Sequence, residues 1–153
     1  MAKDDTFLSD DFEEYAIGSF PGRWQQSGNS DQKIVDEPVT SGDKALQLVG
    51  SYGSCWQALA HRELGSSLPK DESVIVRGEI DPTGEGGGGC HGTKNGSIDI
   101  RENPSAWPNV GFKRKLIQFD AEGSVRGGGI DLGSCEIGVY NSFKIEYYWD
   151  SNG

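Results

Sequence analysis

At 153 residues and a formal charge of −10, the chain has the length of one domain and an acidic surface. Such a surface repels phosphate backbones and anionic lipid, so nucleic acid and membrane surfaces are excluded as expected partners. Leu, Ile, Val and Phe supply 32 residues, with four Trp and five Tyr besides, enough for a compact core, while 23 glycines mark a turn-rich chain.

Residues 1–5 contain no apolar signal core and read as a disordered start. In Asp10-Asp11-Phe12-Glu13-Glu14, an inward Phe12 would put Asp11 and Glu13 side by side on the outer face of a strand. Paired hard oxygens near a turn carbonyl are what calcium takes as ligands; the plainer reading is an exposed acidic strand end. Residues 44–48 alternate, with Leu46 and Leu48 inward, after a Ser41-Gly42-Asp43 turn. Residues 55–64 are read as strand, although Trp56, Leu59, Ala60 and Leu64 also fit helical spacing.

The stretch from Ser73 to Ile80 puts Val74, Val76 and Ile80 on one face, Arg77 and Glu79 on the other. Glu79 and Asp81 are two residues apart and share a face, as a nucleophile and an acid do in sandwich-type glycoside hydrolases. The next position a third carboxylate would need is Thr83, and Pro82 and Gly84 end the strand. A solvated strand end is the better expectation, and a catalytic Glu79–Asp81 pair the alternative.

Residues 83–96 hold seven glycines and form a loop; no Gly-Lys-Ser/Thr leads into a helix, so it is not a phosphate cradle. Residues 97–101 alternate again, Ile98 and Ile100 against Ser97, Asp99 and Arg101. Trp107, between Pro104 and Pro108, sits on a loop, where a lone Trp caps a core or offers a flat face to a sugar ring. Lys113-Arg114-Lys115 breaks the run from Val110 to Phe119, the pattern of a charged edge strand. A turn follows at 120–123; Phe143, Ile145, Tyr147 and Trp149 then face away from Lys144, Glu146, Tyr148 and Asp150. Cys55, Cys90 and Cys135 cannot all pair within the chain, and with His61 and His91 they lack the close ligand pairs of a zinc site.

Short strands with one wet face, separated by turns, predict an all-β sandwich or barrel. Leu8-Ser9-Asp10-Asp11-Phe12-Glu13-Glu14-Tyr15 with Gly18-Ser19-Phe20-Pro21-Gly22-Arg23-Trp24 resembles the first strand and loop of concanavalin A-like (laminin G-like) jelly-roll domains. Val35-Asp36-Glu37-Pro38 followed by residues 41–48 is similar to their next hairpin, and residues 141–150 to a late strand.

The resemblance implies a two-sheet antiparallel β-sandwich (jelly roll) over residues 1–153, and members that are lectins, carbohydrate-binding modules, adhesion domains, glycanases or lyases. It also implies a structural calcium, with Asp11, Glu13 and Asp43 at the corresponding positions, and one or more strands beyond Gly153. Without those strands, an unpaired edge would invite self-association. The expected function is a non-catalytic glycan-binding or adhesion module of an extracellular protein, with Trp56, Arg77, Asp99, Arg101 and Trp107 meeting the glycan. A glycan-cleaving enzyme and a purely structural sandwich are the alternatives.

Overall fold

The structure is a computed structural model. It describes residues 6–27, 31–37, 42–49, 58–64, 68, 71–82, 94–101, 113–120 and 122–148. These contain ten strands and no helix, and every strand pairing is antiparallel. The all-β class expected from the period-two patterns is what the chain adopts. The strands group into four sheets, and these pairings do not establish a jelly-roll order. None of the described segments is a helix long and apolar enough to cross a membrane.

The chain forms two compact units, Met1–Leu68 and Pro69–Gly153. In the first, β1 (Gln25–Ser27) pairs with β4 (Leu59–His61), and β2 (Asp31–Val35) pairs with β3 (Ala45–Val49). The β2–β3 pairing is the hairpin expected around residues 35–48. Its buried centre is Ile34, fully shielded, beside Gln32. Ile34 is also held by main chain: its amide donates to Ser19 O and its carbonyl accepts from Gly18 N, both at 2.8 Å.

Two expectations for this unit are corrected. Residues 8–15 contain no strand and turn at 12–15, because the Asp10 and Asp11 carboxylates each accept an amide two residues ahead and Phe12 takes a φ of +64°. Local side-chain bonds of this kind compete with a sheet ladder and here they win. Leu48, expected inward, is 47% exposed, together with Val49 at 46%, where β3 ends.

In the second unit, β5 (Ser73–Ile80) and β10 (Asn141–Tyr148) form an eight-residue ribbon. A further sheet runs in the order β6 (Lys94–Arg101), β7 (Lys113–Asp120), β8 (Ser124–Gly127), β9 (Ile130–Ser134). β7 is therefore an interior strand, not the edge expected from Lys113-Arg114-Lys115; the edge strand of this sheet after β8 is β9, with Ile130 and Leu132 exposed. Among the described residues, Val74, Leu116, Ile117 and Phe119 are the buried apolar side chains here.

Two local devices shape this unit. Ile98 faces Ile117 while Asp99 faces Lys115, so Leu116 is an extra residue on β7. That bulge lets the consecutive Leu116 and Ile117 both turn inward, which strict alternation forbids. Glycines are also covered by aromatics across the ladder. Phe143 lies opposite Gly78 and would sit 2.8 Å from a Cβ there; Phe119 lies opposite Gly96 at 2.6 Å. Each ring fills the space its partner leaves empty.

Candidate functional site

The β5–β10 ribbon alternates cleanly, with Val74, Val76, Gly78 and Ile80 inward against Phe143, Ile145 and Tyr147. The expected face of Phe143, Ile145 and Tyr147 is thus the one that is turned in; Trp149 and Asp150 lie outside the described residues. The opposite face is wet and carries Ser73, Ile75, Arg77 and Glu79 from β5, and Ser142, Lys144, Glu146 and Tyr148 from β10. Register sets their arrangement: Ser73 opposes Tyr148, Ile75 opposes Glu146, Arg77 opposes Lys144, and Glu79 opposes Ser142.

Tyr148 and Ile75 are diagonal neighbours on this face, 58% and 48% exposed. Side chains so placed are within reach of each other and give this end of the face an apolar character. Toward the other end, Ser142 Oγ donates to Glu79 Oε1 at 3.2 Å. Asp81, just past β5, is half-buried, and its Oδ1 is shielded without a hydrogen-bond partner among the described residues. Tyr140 lies near both carboxylates: burial first, then the charges of Asp81 and Glu79, hold its hydroxyl protonated above the usual tyrosine range.

Of the five residues expected to meet a glycan, Arg77 stands exposed on this face. Asp99 belongs to the other sheet of the unit, half-buried with Oδ1 shielded, rather than projecting with its strand's wet side. The bulge beside it breaks the alternation that predicted otherwise. The backbone of Arg101 ends β6, while its side chain, Trp56 and Trp107 lie outside the described residues, as do Cys55, Cys90 and His91. Cys135 is a half-buried free thiol.

Of the three residues expected to bind calcium, Glu13 and Asp11 have carboxylates that accept main-chain amides, and Asp43 supplies one of those amides. Glu13 Oε1 accepts the amides of Asp43 (2.9 Å) and Lys44 (3.0 Å), and Lys44 Nζ returns to the carbonyls of Glu13 and Tyr15 at 2.8 and 2.9 Å. Gly42, at φ +73°, lets that carboxylate come so close that a Cβ would collide with it. Asp11 Oδ1 accepts the Glu13 amide at 3.2 Å. Glu13 thus clamps a turn, and no group of three or more His, Cys, Asp or Glu among the described residues is arranged to hold a metal ion.

The carboxylate that organises the first unit is Asp10. Its Oδ2 accepts Trp24 Nε1 at 2.8 Å, the Tyr15 hydroxyl at 3.0 Å and an Arg62 nitrogen at 3.1 Å, while Oδ1 accepts the Phe12 amide at 3.0 Å. The Phe12 ring packs on Tyr15 and Trp24, with centroids 6.4 and 5.9 Å apart. The side chain of Asp10 is 6% exposed and that of Arg62 22%. Burial alone pushes the carboxyl up; the donors from Trp24, Phe12 and Tyr15, with the Arg62 charge, outweigh it and hold the group below the ordinary value. Nothing in the sequence marks this hub, since Arg62 lies 52 residues from Asp10.

Comparison with known proteins yields no family model that matches the chain, and no curated protein or solved structure with significant similarity to it.

Proposed function

We propose that the chain is a non-catalytic carbohydrate-binding or adhesion module, and that the outer side of the β5–β10 ribbon is its ligand face. The observation that carries this is the exposed Tyr148 and Ile75 in register with Arg77, Glu79, Ser142, Lys144 and Glu146. A sugar ring has an apolar C–H face and a rim of hydroxyls. An exposed aromatic stacks on the first, and charged side chains bond the second with stronger than neutral hydrogen bonds. Side chains on paired strands are also pre-positioned, which lowers the ordering cost of binding. Such a module works where polymeric glycans are met, outside the cell.

Tyr148→Ala is expected to lower affinity for a bound oligosaccharide about tenfold, with the thermal melt little changed, because the ring is mostly solvated before binding. Calorimetric titration of both proteins against an oligosaccharide panel measures this; equal affinity of the two removes the face from consideration.

A second reading, cleavage of the glycan, draws on the shielded Oδ1 of Asp81 beside Glu79 and Tyr140. Two carboxylates on neighbouring positions are the pair that glycoside hydrolysis requires. On this reading, new reducing ends appear when the protein is incubated with a polysaccharide, and Glu79→Gln abolishes them. An unchanged rate in that variant excludes the pair.

A further inference from the structure

Arg77 and Lys144 stand directly opposite each other on the wet face of the ribbon. Like charges so placed repel and weaken a sheet. Glu79 and Glu146 are on the same face, yet neither cation makes an ion pair or hydrogen bond among the described residues, and Glu79 is engaged by Ser142 instead. In a chain of net charge −10, two cations directly opposite each other, with no contact ion pair among the described residues, are a local exception.

We infer that the ligand carries an anionic group, and that the ribbon takes an acidic oligosaccharide by seating a singly charged oxyanion, a carboxylate or sulfate ester on the sugar, between Arg77 and Lys144. The inference rests on the carbohydrate reading above and sharpens it. Opposed Cα atoms of an antiparallel pair are about 5 Å apart, so a guanidinium fork and an ammonium reach one oxyanion together. Screening works in favour of this local pair. At physiological salt the Debye length is about 8 Å, so the acidic surface at large is felt weakly while contact charges are not.

Spacing also sets ligand length. Lys144 and Tyr148 are four residues apart on one strand, about 13 Å at an extended rise. One sugar ring cannot touch both, so the ligand that uses the whole face is an oligomer whose acidic unit sits some rings from the unit stacked on Tyr148.

The test is calorimetric titration of the whole chain with trigalacturonate, a sulfated galactose trisaccharide, neutral galactotriose and monomeric galacturonate. The expected result is an acidic trisaccharide bound at least tenfold more tightly than the neutral one and than the monomer. Preference for the uronate or for the sulfate identifies which oxyanion is taken, and either supports the site. Arg77→Gln and Lys144→Gln are each expected to lose about tenfold for the acidic ligand and nothing for the neutral one. Lys144→Glu, which removes the repulsion, is expected to raise the melting temperature of the free protein by about 1–5 °C while abolishing the acidic preference.

Equal affinity for acidic and neutral trisaccharides, unaltered by Arg77→Gln, overturns the oxyanion site and leaves the carbohydrate reading standing. Binding of short single-stranded DNA as tightly as of trigalacturonate overturns the site as a sugar site. No binding of any saccharide, acidic or neutral, overturns both.

Discussion

Asp10→Ala is expected to cost the first unit about 3–5 kcal/mol, the range for removing one member of a buried, hydrogen-bonded ion pair. The loss does not stop at the ion pair. Trp24 Nε1, the Tyr15 hydroxyl and the Phe12 amide all lose their acceptor, and Arg62 loses its counter-charge. Donors stranded in a part-buried site carry their desolvation cost unpaid. Asp10→Asn keeps the shape and one acceptor oxygen but adds an amide donor among donors, so its loss falls between wild type and alanine. Thermal or urea melts of the three proteins give the order.

The same carboxylate makes stability depend on acid. Because its folded-state pKa is depressed, the stabilisation is fully present above the ordinary value of 3.8 and is lost as the pH falls through the lower folded value. Asp120 acts in the same direction. The Ser124 amide first, against burial, then the Glu122 amide, the Ser124 hydroxyl and the Arg126 charge hold its carboxyl low. Comparing wild type with Asp10→Asn separates the two, since the amide takes up no proton. The wild-type stability should fall more steeply below pH 3.8, and parallel curves would remove Asp10 as a titrating contributor.

Gly123→Ala is the second large effect, expected at about 2–4 kcal/mol. Gly123 holds a φ of +83°, and a Cβ there would lie 2.6 Å from the Cys135 carbonyl oxygen. That oxygen is backbone and cannot swing away as a side chain would. The turn is also pinned, with Asp120 Oδ1 accepting the amides of Glu122 and Ser124 at 3.0 and 2.9 Å and Gly123 O accepting Cys135 N at 2.8 Å. Gly128 is the control. Its φ is +56° with nothing within 4 Å of a Cβ, so Gly128→Ala costs only the backbone strain, about 1–2 kcal/mol. Equal losses at the two positions would mean that the contact with Cys135 is absorbed without strain.

What was readable in advance follows from which forces are local. Val74, Val76, Phe143, Ile145 and Tyr147 announced their strands because one face of the ribbon is wet and alternation is the only way to satisfy both sides. The turn at Asp120–Gly123 was legible from residue type. The partnership of Arg77 with Lys144 was not, because it depends on register between strands more than sixty residues apart. Neither Leu116 beside Ile117 nor the half-burial of Asp99 fits period two, since a bulge resets the phase. The β8–β9 hairpin was also missed. Its turn, Gly128-Gly129, has positive φ at both residues as a tight hairpin requires, yet in a glycine-rich chain that pair does not stand out. At the start, Asp10 and Asp11 looked like the outer face of a strand; their short carboxylates instead capture nearby amides and turn the chain.

The ligand face is tested most directly by a map of backbone amide shifts during titration with an acidic trisaccharide. The account predicts progressive changes confined largely to Ser73, Ile75, Arg77, Ser142, Lys144, Glu146 and Tyr148. Saturable changes centred on β6 to β9, with the ribbon unmoved, would contradict it.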